Sequence, residues 1–96
     1  MKRTTFDLLF LGTNAIDPDQ GLMTPNEDEA RLKELMIEKA QRVVLLADVS
    51  KLDEQSFLRF ADFEDIDAFI TDGILSASAR EPFEAADVEL VEGLAE

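Results

Sequence analysis

Three short runs of apolar residues, each closed by polar residues, divide this chain of 96 residues. They are Phe6–Asn14 (FDLLFLGTN), Arg42–Lys51 (RVVLLADVSK) and Asp67–Gly73 (DAFITDG). Short and nearly continuous runs of Val, Ile, Leu and Phe are typical of strands buried on both faces, as in a parallel sheet covered by helices. Because ligands bind outside the carboxyl ends of such strands, the polar residues that close each run are the first place to look for a site.

The candidate site residues are these closing residues. They are Thr13, Asn14, Asp48, Ser50, Lys51, Thr71 and Asp72. The ammonium group of Lys51 can pair with a phosphate as a point charge. Asp48 can accept hydrogen bonds from hydroxyl groups of a ligand, or it can orient Lys51.

Each candidate also has a plainer explanation. Lys51 can be a solvent-exposed lysine at a strand end, and Asp48 can cap the turn that follows it through its side chain. Turn-capping is the favoured role for Thr71 and Asp72, which precede Gly73. For Thr13 and Asn14, hydrogen bonding to a ligand and ordinary turn chemistry are equally good readings of the sequence.

Charge and composition exclude several classes of protein. The chain has 22 acidic and 9 basic residues and a net charge of −13, so it repels nucleic acids and anionic membranes. No apolar stretch approaches the roughly 20 residues that span a bilayer. The absence of cysteine excludes disulfides and thiolate metal sites, and the absence of histidine removes the commonest metal ligand. We therefore expect a cytoplasmic protein without a cofactor or a metal site.

The intervals between the runs predict further elements. A loop is expected from Gly12 to Met23, followed by a helix with Thr24 as its cap, Pro25 in its first position and Glu27 as a capping-box partner. Its apolar stripe, expected to pack on the sheet, is Leu32, Leu35, Met36 and Ala40.

The second half of the chain predicts shorter elements. Ser56–Phe63 fits a short strand, a helical turn or both, and its phenylalanines suit a core or an interface. A third strand is expected at Phe69–Asp72 and a final one at Val88–Val91. A weak helix is expected at Ser76–Ala86, interrupted or started afresh at Pro82 because proline inside a helix costs about 3 kcal/mol.

The order of these motifs resembles that of a known family. The segments FLGTNAID, GLMTPNEDEARLKELMIEKAQRVVLLADVSK and IDAFITDG, which lie between Phe6 and Gly73, resemble the C-terminal half of the sensor domain of DeoR-family transcriptional regulators. The D-x-S-K tetrad alone is a weak signal, but its order with the GTN, TPN and ITDG segments is fairly specific. The GTN and TPNEDEA segments are similar to those of the branch of the family that represses lactose phosphotransferase systems.

This resemblance implies a fold class and a function. The fold would be α/β, a Rossmann-like and mostly parallel sheet with flanking helices, related to ribose-5-phosphate isomerase and CoA transferases. The function would be the sensing of a sugar phosphate, with Asp48 and Lys51 in the effector pocket. The family's usual F-G after D-x-S-K is replaced here by Leu52-Asp53.

The resemblance also bears on domain organisation. Residues 1–96 would form a single, partial effector-sensing domain from the C-terminal part of a repressor of sugar metabolism. The winged helix-turn-helix that contacts DNA, and the family's Gly/Ser/Thr phosphate loop, are not in this sequence. The partners implied are a phosphorylated sugar and further copies of the same chain, and no enzymatic activity is expected.

Two alternatives stay open at this point. The chain can be a fragment of a sugar-phosphate isomerase or deaminase, which needs a positioned base for which Asp48 or Asp72 would serve. It can also be an oligomerisation fragment that binds no ligand. Phenylalanines left exposed, among Phe57, Phe60 and Phe63, would favour self-association.

Overall fold

The computed structural model describes residues 7–54 and 56–93, and for Asp53 the backbone alone. Phe6, with which the first predicted run begins, lies outside these residues. The strands are β1 (Leu9–Leu11), β2 (Ala15–Asp17), β3 (Gly21–Thr24), β4 (Val43–Leu46), β5 (Leu58–Ala61), β6 (Ala68–Ile70) and β7 (Glu89–Val91). The helices are α1 (Glu27–Lys39), α2 (Ala77–Ala85) and two 3-10 helices at Val49–Asp53 and Phe63–Asp65.

A four-stranded parallel sheet in the order β1-β4-β6-β7 forms the larger half of the fold. Its register pairs Phe10 with Val44 and Leu45 with Phe69. All three neighbouring pairs are parallel, so the carboxyl ends of the strands meet at one edge. The predicted α/β class with a mostly parallel sheet is therefore confirmed.

One face of this sheet carries the core. Leu11, Leu45 and Phe69 point to it, and the ring of Phe83 from α2 stacks on Phe69 with 4.7 Å between the ring centroids. Phe63 meets Phe83 edge-on at 4.9 Å, so three aromatic rings close this side. The opposite face, defined by alternation along the strands, includes Phe10 and Leu46, which are 58% and 43% exposed.

The loop expected from Gly12 to Met23 is wrong, because β2 and β3 form a hairpin there and β5 pairs with β3 in an antiparallel sheet of three strands. The turn of this hairpin consists of Pro18, Asp19 and Gln20, the three residues between the strands. The carboxylate of Asp17 accepts hydrogen bonds from the backbone N–H groups of Asp19 and Gln20, at 2.8 and 3.1 Å. Gly21 follows with a φ of 106°, which favours glycine.

The start of α1 also differs from the prediction. The cap is Asn26, whose Oδ1 accepts from the backbone N–H of Glu29 at 2.9 Å, so neither Thr24 as the cap nor Pro25 in the first position is correct. Thr24 belongs instead to β3, and its buried hydroxyl lies 3.2 Å from Glu29 Oε1. The hydroxyl is engaged with a side chain on the helix it was expected to cap.

The buried face of α1 is rotated from the predicted stripe. Leu32 and Leu35 are exposed, whereas Ala30 is buried and Ile37 packs against the core. Lys33 lies on the buried face, three residues after Ala30 and four before Ile37, because its stem can cover apolar surface while its ammonium finds polar partners. Only Met36 and Ala40 of the predicted stripe pack on the core.

The later elements agree better with expectation. Ser56–Phe63 contains strand β5 and runs into the second 3-10 helix, so both proposed structures occur. Phe60 is buried and Phe57 is 84% exposed. Helix α2, capped by Ser76, continues through Pro82 without interruption, since the carbonyl that loses its donor is that of exposed Ser78. None of the helices within residues 7–54 and 56–93 is long and apolar enough to cross a membrane.

Candidate functional site

A cleft opens at the edge where the carboxyl ends of β1, β4 and β6 meet. Its volume is about 400 Å³, within the range of small-molecule sites. It is lined by Gly12, Thr13, Leu46, Ala47, Asp48, Lys51, Ile70, Thr71 and Asp72. The structure therefore brings Thr13, Asp48, Lys51 and Asp72 together, and leaves Asn14 and Ser50 outside the lining.

Asp48 and Lys51 reach the cleft from the 3-10 helix Val49–Asp53, which we call the Lys51 turn. The turn follows β4 directly, and the N–H of Lys51 donates to the carbonyl of Asp48 at 3.1 Å. The Asp48 side chain makes no capping hydrogen bond, so the capping role considered for it is wrong. Within the described part of the chain, no ion pair of 4 Å or less joins Lys51 to Asp48 or Asp72. The ammonium thus makes no direct ion pair with either of these two carboxylates in the described structure.

Asp72 has a structural partner within the cleft. Its Oδ1 accepts from the backbone N–H of Val49 at 3.3 Å, and the buried hydroxyl of Thr71 lies 3.5 Å from the same atom. The favoured turn-capping role is therefore what Asp72 does here, although the turn belongs to β4 rather than to its own strand. The Thr71 N–H donates to the carbonyl of Val91 at 3.0 Å, which links this strand end to β7.

Thr13 and its neighbours form the β1 side of the cleft. The Thr13 hydroxyl lies 2.9 Å from the carbonyl of Ala15 and 3.2 Å from that of Met23, so it is engaged with the hairpin. Asn14 is exposed. The structure therefore favours a role for Thr13 in holding the turn over hydrogen bonding to a ligand.

Lys33 supports the same wall and was not among the candidates. Its Nζ donates to the carbonyl of Gly12 at 2.7 Å and lies 2.9 Å from Glu29 Oε2. The hydrogen bond and the charge of Lys33 lower the pKa of Glu29 below its usual value. The Glu29-to-Lys33 spacing of four residues in a helix was the available signal. The link to Gly12 is a contact between distant parts of the chain that no local pattern shows.

The chemistry of the cleft is that of a polar binding site. One ammonium, on Lys51, can pair with an anionic group, while the carboxylates of Asp48 and Asp72 can accept hydrogen bonds from hydroxyl groups. Apolar Leu46 and Ile70 lie between these groups at the strand ends. Such a cleft suits a ligand that carries both hydroxyl groups and a single anionic group.

The sequence of this chain is similar to that of known proteins. The family model described as the DeoR C-terminal sensor domain matches residues 1–73. The chain is 64% identical over 95 residues to the HTH-type transcriptional regulator GlpR of Haloferax volcanii, covering 99% of this chain and 37% of that protein. It is 43% identical over 72 residues to the uncharacterized HTH-type transcriptional regulator FruR of Bacillus subtilis, covering 75% and 29%.

A third relative is the HTH-type transcriptional repressor GlcR of Bacillus subtilis, 33% identical over 73 residues that cover 76% of this chain and 28% of that protein. The chain thus spans about a third of the length of these relatives. The resemblance seen in the GTN, TPN, D-x-S-K and ITDG segments is confirmed by the family match. This chain belongs to the family of DeoR C-terminal sensor domains.

Proposed function

We propose that this chain is the effector-sensing part of a DeoR-type transcriptional repressor of sugar metabolism, and that its effector is a phosphorylated sugar. The observation that carries the proposal is the position of Lys51 and Asp48 in one cleft at the carboxyl edge of the parallel sheet. Lys51 would pair with the phosphate, and Asp48 would accept hydrogen bonds from sugar hydroxyls.

The other predicted residues have lesser roles in this proposal. Thr13 and Asp72 line the cleft but are engaged with the protein, so they would shape it more than bind the ligand. Asn14 and Ser50 are exposed beside it and would contact only a ligand that extends beyond the lining. Membership of a family whose relatives are named as transcriptional regulators supports sensing over the isomerase or deaminase alternative.

The proposed mechanism is a shift of population between two arrangements of a longer regulator. Effector bound in the cleft favours one arrangement by its differential affinity, and a DNA-binding module outside this chain then changes its affinity for DNA. The net charge of −13 makes this segment itself unsuited to contact DNA. The cytoplasmic location and the lactose phosphotransferase-system branch, both read from the sequence, stay predictions.

The first test is calorimetric titration with a panel of triose and hexose phosphates, on the regulator that carries this segment. Lys51→Ala should weaken binding by about tenfold or more, because a hydrogen-bonded charge pair is worth about 1.5–3 kcal/mol. The matched control is Lys39→Ala, which removes the same charge from an exposed position on α1 and should bind as the wild type does. An unchanged affinity in Lys51→Ala would remove Lys51 from the pocket.

We also propose that the chain self-associates, as a second function compatible with the first. The supporting observation is the outer face of the parallel sheet, formed by Leu8, Phe10, Val44, Leu46, Ala68, Ile70 and Val91, which we call the outer sheet face. Parallel sheets are normally covered on both faces, yet Leu8, Phe10 and Leu46 are exposed here. A second copy is the proposed occupant because this face is largely apolar on a strongly acidic molecule. Glu89, which the register places beside Ala68, is paired with Arg42 at 3.2 Å, so two copies can approach through this face with little repulsion between like charges.

A further inference from the structure

Val49 connects the Lys51 turn to the segment that follows β6. The backbone N–H of Val49 donates to Asp72 Oδ1 at 3.3 Å. The Val49 side chain lies against Gly73, so closely that a Cβ added to Gly73 would stand 2.6 Å from Val49 Cγ1 and 3.1 Å from Cγ2. Gly73 has no positive φ, so it is required here for space and not for backbone conformation.

The segment that holds Val49 is itself fixed. The N–H of Thr71 donates to the carbonyl of Val91 at 3.0 Å, and the carbonyl of Gly73 accepts from the N–H of Gly93 at 2.8 Å. Asp72 and Gly73 therefore lie between two hydrogen bonds to the strand beside them and its continuation. They form a rigid support against which the Lys51 turn rests.

Lys51 depends on this support for its position. Its side chain is half-buried in the cleft wall, two residues after Val49 in a 3-10 helix that spans only five residues. Two hydrogen bonds fix the shape of the turn: the Lys51 N–H donates to the Asp48 carbonyl, and the Glu54 N–H donates to the Lys51 carbonyl. These bonds do not fix the position of the turn on the sheet. Its place is set by what Val49 contacts, together with the packing of the turn against β2 and of Leu52 against the core.

We propose that Asp72 and Gly73 are positioning residues that hold the Lys51 turn, and with it the Lys51 ammonium, at the cleft. This inference rests on the proposed function for its binding consequence, but its structural consequence can be measured without a ligand. If Asp72 acted only through its negative charge, it would repel a phosphate and weaken binding. As a positioning residue, it instead strengthens phosphate binding by holding Lys51 in place.

The first arm of the test uses Asp72→Ala and Asp72→Asn in the 96-residue chain. Asp72→Ala removes the acceptor and should raise hydrogen exchange at the Val49 amide up to about tenfold, since one hydrogen bond is worth about 0.5–1.5 kcal/mol. Asp72→Asn keeps an acceptor oxygen and should restore most of the protection. Exchange at the Leu22 amide, in the central strand of the other sheet, is the control for global opening and should stay unchanged.

The second arm uses the contact between Val49 and Gly73. Gly73→Ala should displace the turn and raise exchange across Val49–Asp53, because the added Cβ overlaps the Val49 methyl groups. Val49→Ala combined with Gly73→Ala should reverse this effect, since the Val49 Cβ is 3.4 Å from the added atom and makes an ordinary contact. If Gly73→Ala raises exchange and the double variant does not lower it again, the proposed contact between Val49 and Gly73 is contradicted.

The third arm measures binding of glucose 6-phosphate and of inorganic phosphate by calorimetry. Asp72→Ala and Gly73→Ala should each weaken binding about tenfold, and their rescue variants should recover it. Tighter binding in Asp72→Ala would mean that Asp72 acts only through its charge and would overturn the inference. If the wild type binds neither probe, the proposed function loses support, whereas the inference stands or falls on the exchange results alone.

Discussion

Lys33 is a charged side chain with only 13% of its surface exposed, held by three kinds of contact. Its Nζ reaches a carboxylate on Glu29 and the carbonyl of Gly12, and it lies 4.8 Å from the centre of the Phe60 ring. Removing an ammonium from water costs several kcal/mol unless such partners replace the water. Glu29 supplies the opposite charge among these partners.

Glu29→Gln should lower the free energy of unfolding by about 1 kcal/mol or less at pH 7, a small value because the Glu29 side chain is 40% exposed. Lys33 lowers the pKa of Glu29 below 4.5 in the folded state, so the stabilisation is complete above that value and is lost as the pH falls through the folded pKa. Urea unfolding of both proteins at pH 7 and at pH values below 4.5 measures the difference, which should shrink on acidification.

The control for this experiment is Glu34→Gln, which removes a carboxylate from an exposed position on the same helix. It reports the general effect of one negative charge fewer on a chain of net charge −13. If Glu29→Gln and Glu34→Gln change stability equally at every pH, the pair with Lys33 contributes nothing measurable.

Among the elements, the β2–β3 hairpin depends most on a single residue. Gly21 begins β3 with a φ of 106°, and a Cβ there would overlap the carbonyl oxygen of Ala61 on β5. A side chain at this position would strain the backbone and push β5 away at the same time. The pairing of β3 with β5 within the antiparallel sheet thus requires glycine at this point.

Gly21→Ala should lower the free energy of unfolding by at least about 2 kcal/mol, the sum of the left-handed penalty and the displaced carbonyl. Thermal or urea unfolding measures it. Gly12→Ala is the matched control, because its added Cβ would meet nothing within 4 Å. Equal stability of the two variants would contradict the close approach of Gly21 to β5.

The elements that the sequence predicted well are those whose signal is local. Continuous apolar runs are sufficient to identify β1, β4 and β6, and their parallel ends place Asp48 and Lys51 at one edge. The hairpin was missed because Pro18 and Gly21 dominate a segment whose strands are only three and four residues long. Its pairing with β5 joins residues far apart in sequence, which local patterns do not reveal.

The same limit applies to the helix face and to the site. Two overlapping stripes were possible on α1, and the choice between them depended on partners for Lys33 that lie outside the helix. Likewise, Asp72 was expected to cap a turn, but that it caps the turn of Val49 follows from a contact across 23 positions. Residue types at strand ends could be predicted, whereas their mutual hydrogen bonds could not.

For the whole molecule, the outer sheet face has the largest consequence for assembly. Phe10→Ser should reduce self-association, measured by analytical ultracentrifugation over a range of concentrations, because it removes a 58% exposed aromatic ring from the proposed contact. Phe57→Ser is the matched control, since Phe57 is 84% exposed but lies outside this face. A monomeric wild type, or equal association of both variants, would contradict assembly through the outer sheet face.

The parallel sheet described above has a consequence for how the chain folds. Every neighbouring pair joins distant residues, Leu9 with Val43, Val44 with Ala68 and Ala68 with Glu89, and none can form as a local hairpin. The chain loses entropy by closing long loops before these pairs can stabilise it, so folding should be slower than for a helical bundle of similar size. During synthesis β1 cannot pair with β4 until that strand emerges, and the four-stranded sheet described here stays incomplete until β7 has left the ribosome.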